Sequence, residues 1–177
     1  MNKSLFNFND YGNDTPVPSG EIILITDGDE AFDTRNLDQY IEDRNVIIVG
    51  IPGAFTPTCS TFQLPDFEKM YYAFKAKGID EIYCVSVNDS FVMNAWAKSQ
   101  NIENVKVIPD GSGLFTVGMG MLVSKDNLGF GQRSWRYAAV INDGTVEHWF
   151  EEPGKENNCP EDPYGVSSPQ NIFERLQ

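Results

Sequence analysis

The sequence predicts an α/β fold, a three-layer sandwich with a mixed central sheet and flanking helices. Three observations predict it: apolar strand-like runs alternate with helix-period segments, an Asn-Asp-Gly turn joins two later strands, and a Ser-Pro pair opens a closing helix. At ~100–200 residues per domain, 177 residues with 41% hydrophobic side chains support one core, so residues 1–177 are read as one domain.

Glu21–Ile25, Asn45–Ile51 and Glu81–Val87 are short apolar runs bounded by turn or charged residues and are expected to be buried strands. Helical patterns cover 36–43, about Thr58 to Lys77, and 89–100. In the last of these Asp89 can cap, and Phe91, Val92, Ala95 and Trp96 are expected to share a face. VKVIPD reads as a short strand, and RYAAVINDGTVEHWF as a hairpin around Asn142-Asp143-Gly144. The last helix is expected near Ser168-Pro169, with Ser as cap and Pro in the first turn. Parallel βαβ units followed by a hairpin and a helix fit a sandwich of thioredoxin type.

Composition narrows the partners. Residues 1–44 carry 3 basic and 10 acidic side chains, 45–142 carry 8 and 8, and 143–177 carry 2 and 8, for a net charge of −13. Acidic flanks repel phosphate backbones and anionic lipid, so neither nucleic acid nor a membrane is expected as partner. No apolar stretch reaches the ~18 residues of a membrane helix, and the first residues lack the apolar centre of a signal peptide; a reducing, cytoplasmic setting is expected.

Cys59, Cys84 and Cys159 form no C-x-x-C pair and have no nearby His, so no metal site is expected. The single His148 lies in an alternating strand pattern and is read as solvent-facing. Cys59 is different. It stands just inside a helix start, at the carboxyl end of a parallel strand, where free N–H groups and the helix dipole favour an anion and hence a nucleophilic thiolate. A dithiol mechanism needs a second Cys at position 56, which is Thr; a phosphatase loop needs an Arg near position 65, which is Pro; acyl transfer needs a base, and only His148 is on offer. Reduction of a peroxide needs no base. The site has only to align the O–O bond and stabilise the leaving oxygen.

The pattern Pro52-x-x-x-Thr56-x-x-Cys59, within PGAFTPTCS, resembles the active-site signature of the peroxiredoxins. The blocks VSVNDSFVMNAWAK (85–98), 108–144 and DPYGVSS (162–168) are similar to the peroxiredoxin five subfamily, which includes plant type II enzymes and the peroxiredoxin half of bacterial peroxiredoxin–glutaredoxin hybrids. The likeness runs from about Asn45 to the C-terminus. It implies a thiol-dependent peroxidase acting on hydrogen peroxide and small alkyl hydroperoxides, with Cys59 cycling through a sulfenic acid. Pro52 would shield the sulfur and Thr56 would hydrogen-bond the thiolate or peroxide oxygen. Gly53, Phe55 and the backbone near Thr58 would contact substrate. Arg136, in Arg-Tyr-Ala, is the expected guanidinium, with Arg133 as runner-up or supporter.

Cys84 and Cys159 are the candidate resolving cysteines: Cys84 competes with a packed strand role, and Cys159 lies in a polar segment expected to be mobile. The chain ends at Gln177 without a C-P-Y-C motif, so the reductant is expected to arrive separately, as glutathione, glutaredoxin or thioredoxin. No cofactor is implied. Phe55, Phe91, Trp96, Met119 and Met121 are mostly core by default, and some could line the pocket mouth or an end-to-end homodimer contact. A rival reading keeps Cys59 as a redox switch without turnover. Pro65 is expected to kink the long helix, either freeing its first turn to open or fitting the helix around the sheet.

Overall fold

A computed structural model describes residues 12–19, 21–25 and 32–176, without the side chains of 21–25, 32 and 33. In chain order the elements are β1 (Glu21–Ile25), β2 (Phe32–Asn36), α1 (Asp38–Ile41), β3 (Asn45–Ile51), a π-helical turn (Cys59–Gln63), α2 (Leu64–Ala76), β4 (Glu81–Ser86), α3 (Ser90–Ser99) and β5 (Lys106–Pro109). There follow α4 (Leu114–Gly118), β6 (Leu122–Ser124), β7 (Gln132–Ser134), β8 (Tyr137–Asn142), β9 (Thr145–Glu151) and α5 (Pro169–Arg175).

The central sheet runs β5-β4-β3-β8-β9, parallel across its first three strands and antiparallel across the last three. Strand β3 sits in the middle because both its faces are apolar, and its successive residues serve opposite cores. Val46 and Ile48 join Leu37, Phe115, Met119 and Trp135 on one side. Ile47, Val49 and Ile51 join Leu64, Phe67, Phe74, Trp96 and Ile172 on the other, under α2, α3 and α5. At its carboxyl end, Gly50 leaves room for the Tyr137 ring, which would lie 2.0 Å from an added Cβ.

The turn chemistry read from the sequence explains several boundaries. Asp143 (φ 46°) and Gly144 (φ 74°) are both left-handed, as a two-residue type I′ hairpin between β8 and β9 requires. Asp89 accepts the Val92 N–H at 2.9 Å at the start of α3, and Ser168 accepts that of Asn171 at 3.4 Å at the start of α5.

Other expectations are corrected. The run Glu21–Ile25 is a strand, but it pairs with β2 in a separate antiparallel ribbon and not in the central sheet; whether its side chains are buried lies outside the described residues. Helix 36–43 shrinks to Asp38–Ile41: Asn36 is still in β2 and turns its Oδ1 back to the Asp38 N–H, while Asp43 at φ 52° ends the segment. On α3 the buried face is Met93 and Trp96, with Val92 half-buried and Phe91 and Ala95 exposed. The helix α4 and the β6–β7 ribbon had no clear periodicity in their glycine-rich sequence.

Candidate active site

The corner after β3 builds the site. Pro52, Gly53 and Ala54 are buried, Phe55 takes the left-handed conformation (φ 60°) with its ring 57% exposed, and the chain enters a helix at Pro57. The first helical hydrogen bond there runs from the Ser60 N–H to the Thr56 carbonyl at 3.0 Å, so the N–H groups of Thr58 and Cys59 precede the ladder. From Cys59 the helix widens into a π turn whose Leu64 N–H reaches the Cys59 carbonyl, before Pro65 in the first turn of α2. The irregularity of the long helix is thus a π turn over Cys59–Gln63, ahead of Pro65, a form common at functional sites.

Cys59 is fully buried, and Arg136, 2% exposed, lies against it with Nη2 3.6 Å from Sγ. The rest of the guanidinium is fixed from three sides. Nε donates to Gln63 Oε1 at 2.9 Å, and Nη1 donates to Asp162 Oδ1 and to the Pro163 carbonyl, both at 2.7 Å. The Tyr164 ring lies 5.8 Å from the guanidinium carbon. Burial works against the charge on Arg136, but Cys59 and Asp162 outweigh it and raise its pKa. Asp162, which burial alone would raise, is held below the usual carboxylate range by hydrogen bonds from Arg136 and Thr58.

Arg133 holds the loop instead of the sulfur. Its Nη1 reaches the Pro52 carbonyl and Asn88 Oδ1, each at 3.4 Å, and its Nε the Phe130 carbonyl at 3.1 Å. Asn88 Oδ1 also accepts from the buried Ala54 N–H at 3.0 Å and from the Ser86 hydroxyl at 2.6 Å. Burial lowers the Arg133 pKa, opposed by Cys59. The Thr56 hydroxyl donates to the Gly53 carbonyl at 2.7 Å, which leaves its oxygen as an acceptor toward the corner. The Thr58 side chain serves Asp162.

The remaining candidates lie apart. Cys84, 2% exposed in β4, shares the Cys59 side of the sheet, and burial pushes its thiol far up. Cys159 lies in a polar, exposed segment, yet its own side chain is 5% exposed in the core of the opposite face, with its thiol toward Glu161 at 3.5 Å. His148 is half-buried on β9, opposite Val140. Gln63, Asp162 and Asn88 were missed in the sequence reading. For Gln63 a signal existed: Cys59, Gln63, Phe67, Tyr71 and Phe74 form one buried stripe, and Gln63 breaks its apolar character.

A buried, unbridged sulfur under a guanidinium at the carboxyl end of a thioredoxin-like sheet defines a thiol-dependent redox enzyme. A family profile described as Redoxin matches residues 13–164. The chain is 66% identical over 146 residues to a peroxiredoxin of Rhizobium etli, covering 82% of each chain. It is 46% identical over 153 residues to the hybrid peroxiredoxin hyPrx5 of Haemophilus influenzae, covering 82% of this chain and 62% of that one. Among solved structures, the 1-Cys peroxiredoxin of Plasmodium falciparum superposes with a TM-score of 0.87 at 33% identity, covering 93% and 97% of the two chains. The chain belongs to the Redoxin family and, within it, to the peroxiredoxins. It is a thiol-dependent peroxidase, which takes a peroxide as substrate and a thiol as reductant.

Proposed function

We propose that Cys59 is the peroxidatic nucleophile and that Arg136 stabilises both its thiolate and the departing oxygen. The observation that carries this reading is the 3.6 Å approach of Arg136 Nη2 to a sulfur sealed from solvent. The sulfur attacks the terminal oxygen of hydrogen peroxide or a small alkyl hydroperoxide, the O–O bond breaks, and the leaving oxygen departs as water or alcohol. Pro52 excludes solvent, the Thr56 oxygen accepts a hydrogen bond from the peroxide O–H, and the first-turn N–H groups of Thr58 and Cys59 face the oxygens. Gly53 and Phe55 form the rim of the entrance.

The product is a buried sulfenic acid, which a thiol must reach. A small thiol fits this best, because Cys84 is locked in a strand and Cys159 lies across the sheet. Glutathione, alone or with a glutaredoxin, is the reductant we propose, with thioredoxin as the larger alternative. Exposed Phe55, Phe91 and Leu114 lie at loop and helix starts near the corner and suit contact with a second copy, so the working form is a homodimer. Among the described residues no helix is long and apolar enough to cross a membrane. A reducing, cytoplasmic setting agrees with three free cysteines.

Continuous peroxide consumption with glutathione and glutaredoxin, lost in Cys59→Ser, tests the reading. A protein that oxidises once and stops would be the redox switch instead.

A further inference from the structure

Gln63 is fully buried, yet its amide nitrogen Nε2 has no hydrogen-bond partner. The chemistry decides which end of the carboxamide is spare. Arg136 Nε can only donate, so the oxygen of Gln63 must face it, and the N–H2 is the arm left over. Buried donors are normally paired, and one left open in an otherwise satisfied site marks a place for a partner that arrives during function.

Covalent geometry identifies the partner. Nε and Nη2 of an arginine lie along one edge of its planar fork, and here one holds Gln63 Oε1 at 2.9 Å and the other faces Cys59 Sγ at 3.6 Å. The carboxamide and the sulfur are therefore neighbours on the same guanidinium edge. They also belong to the same π turn, as its first and last residues. The idle N–H2 thus belongs to a side chain that shares both the guanidinium edge and the turn with the sulfur.

We infer that Gln63 is a further catalytic residue of the peroxidase, donating from Nε2 to the oxygen that Cys59 takes from the peroxide. The inference rests on Cys59 being the nucleophile. In the step, an S–O bond forms as the O–O bond breaks; sulfur gives up two electrons and the peroxide gains them. The proton on the terminal oxygen goes to the departing alkoxide or hydroxide, which leaves as alcohol or water. The oxygen left on sulfur carries the negative charge, and Arg136 and the Gln63 N–H2 share it. A carboxylate in place of Gln63 would still accept from Arg136 Nε, but would turn a like charge toward that oxygen. The carboxamide joins an acceptor for the guanidinium to a donor for the product in one neutral group.

Two variants separate this role from simple anchoring of Arg136. Gln63→Met fills similar space with neither function, and Gln63→Glu keeps the acceptor while losing the donor. Each is assayed by stopped flow with hydrogen peroxide and with iodoacetamide, which alkylates the sulfur without delivering oxygen, and both rates are normalised to the thiolate fraction from a pH titration of alkylation. We expect the peroxide rate to fall at least tenfold in both variants while the alkylation rate stays within threefold. A wild-type peroxide rate in Gln63→Glu, or equal losses with the two reagents, overturns the inference. Peroxide consumption surviving in Cys59→Ser, run alongside, would instead overturn the nucleophile assignment.

Discussion

Arg136 and Cys59 stand 77 residues apart in sequence, and the guanidinium meets the sulfur at 3.6 Å with its other nitrogens committed to Gln63, Asp162 and Pro163. Three fixed directions leave Nη2 one place to point. The planar fork makes this possible, because one cation must serve a π turn, a distant loop and the sulfur at once.

Lysine cannot reproduce that arrangement. Arg136→Lys keeps the charge but offers a compact ammonium on a flexible stem, so we expect kcat/KM for hydrogen peroxide to fall tenfold or more. Arg136→Ala should lower it by about 10²–10³, the usual cost of losing a preorganised donor to a developing oxyanion. Circular dichroism should show the fold retained. Near-normal turnover in the alanine variant would remove Arg136 from the mechanism.

The three cysteines should behave differently. Burial raises the Cys84 thiol far above its ordinary range, so it has little thiolate to offer as a resolving group. Cys159 lies in the core across the sheet. Cys84→Ala and Cys159→Ala should each keep turnover with glutathione and glutaredoxin within about twofold, and the Cys84 change should cost roughly 1 kcal/mol of stability. Mass spectrometry after one equivalent of peroxide and excess glutathione should find the adduct on Cys59. A disulfide from Cys59 to either other cysteine would assign that cysteine the resolving role.

Cys59 stood out in the sequence by its place just inside a helix start after a parallel strand, whereas Pro52 and Thr56 entered through the resemblance. Arg136 needed the resemblance, since spacing alone could not choose it over Arg133; only the structure shows Arg133 turned to the Pro52 carbonyl and Arg136 to the sulfur. The β8–β9 turn was legible because Asp143-Gly144 accepts two positive φ angles. The β1–β2 ribbon was not, because four apolar residues in a row look alike in a sheet or beside one. Cys159 was misread because its polar neighbours hide that its own side chain turns inward.

Gly53 ties the corner to Arg133. A Cβ there would stand 2.4 Å from Arg133 Nη1, the far end of a flexible side chain, so Gly53→Ala should fold while pushing Arg133 off Pro52 and Asn88. Asn88→Ala is harsher, because it leaves the buried Ala54 N–H without its acceptor, at a cost of about 1–3 kcal/mol. Both should slow the peroxide step by about tenfold through a looser corner, since misplacement without direct contact can cost up to ~10². An unchanged rate in both would show that the clamp only stabilises the fold.

Glu68 anchors the body of α2. Its carboxylate accepts the backbone N–H groups of Glu103, Asn104 and Val105 and the Asn104 side chain, tying α2 to the loop before β5. Burial alone would raise its pKa, but these bonds outweigh it and hold the carboxyl below its ordinary value. A depressed folded-state pKa gives stability that is complete above the unfolded value of about 4.3 and is lost as pH falls through the folded one. Glu68→Gln keeps one acceptor oxygen and loses the other, so urea unfolding at pH 7 should show it about 1–2 kcal/mol less stable than wild type. Below pH 4 the gap should narrow as the wild-type carboxylate takes up its proton. Because the tie holds the body of α2 and not the π turn at Cys59, the peroxide rate at pH 7 should stay within about twofold of wild type. A gap that is constant with pH would mean that the carboxylate charge contributes nothing and that packing alone joins α2 to that loop.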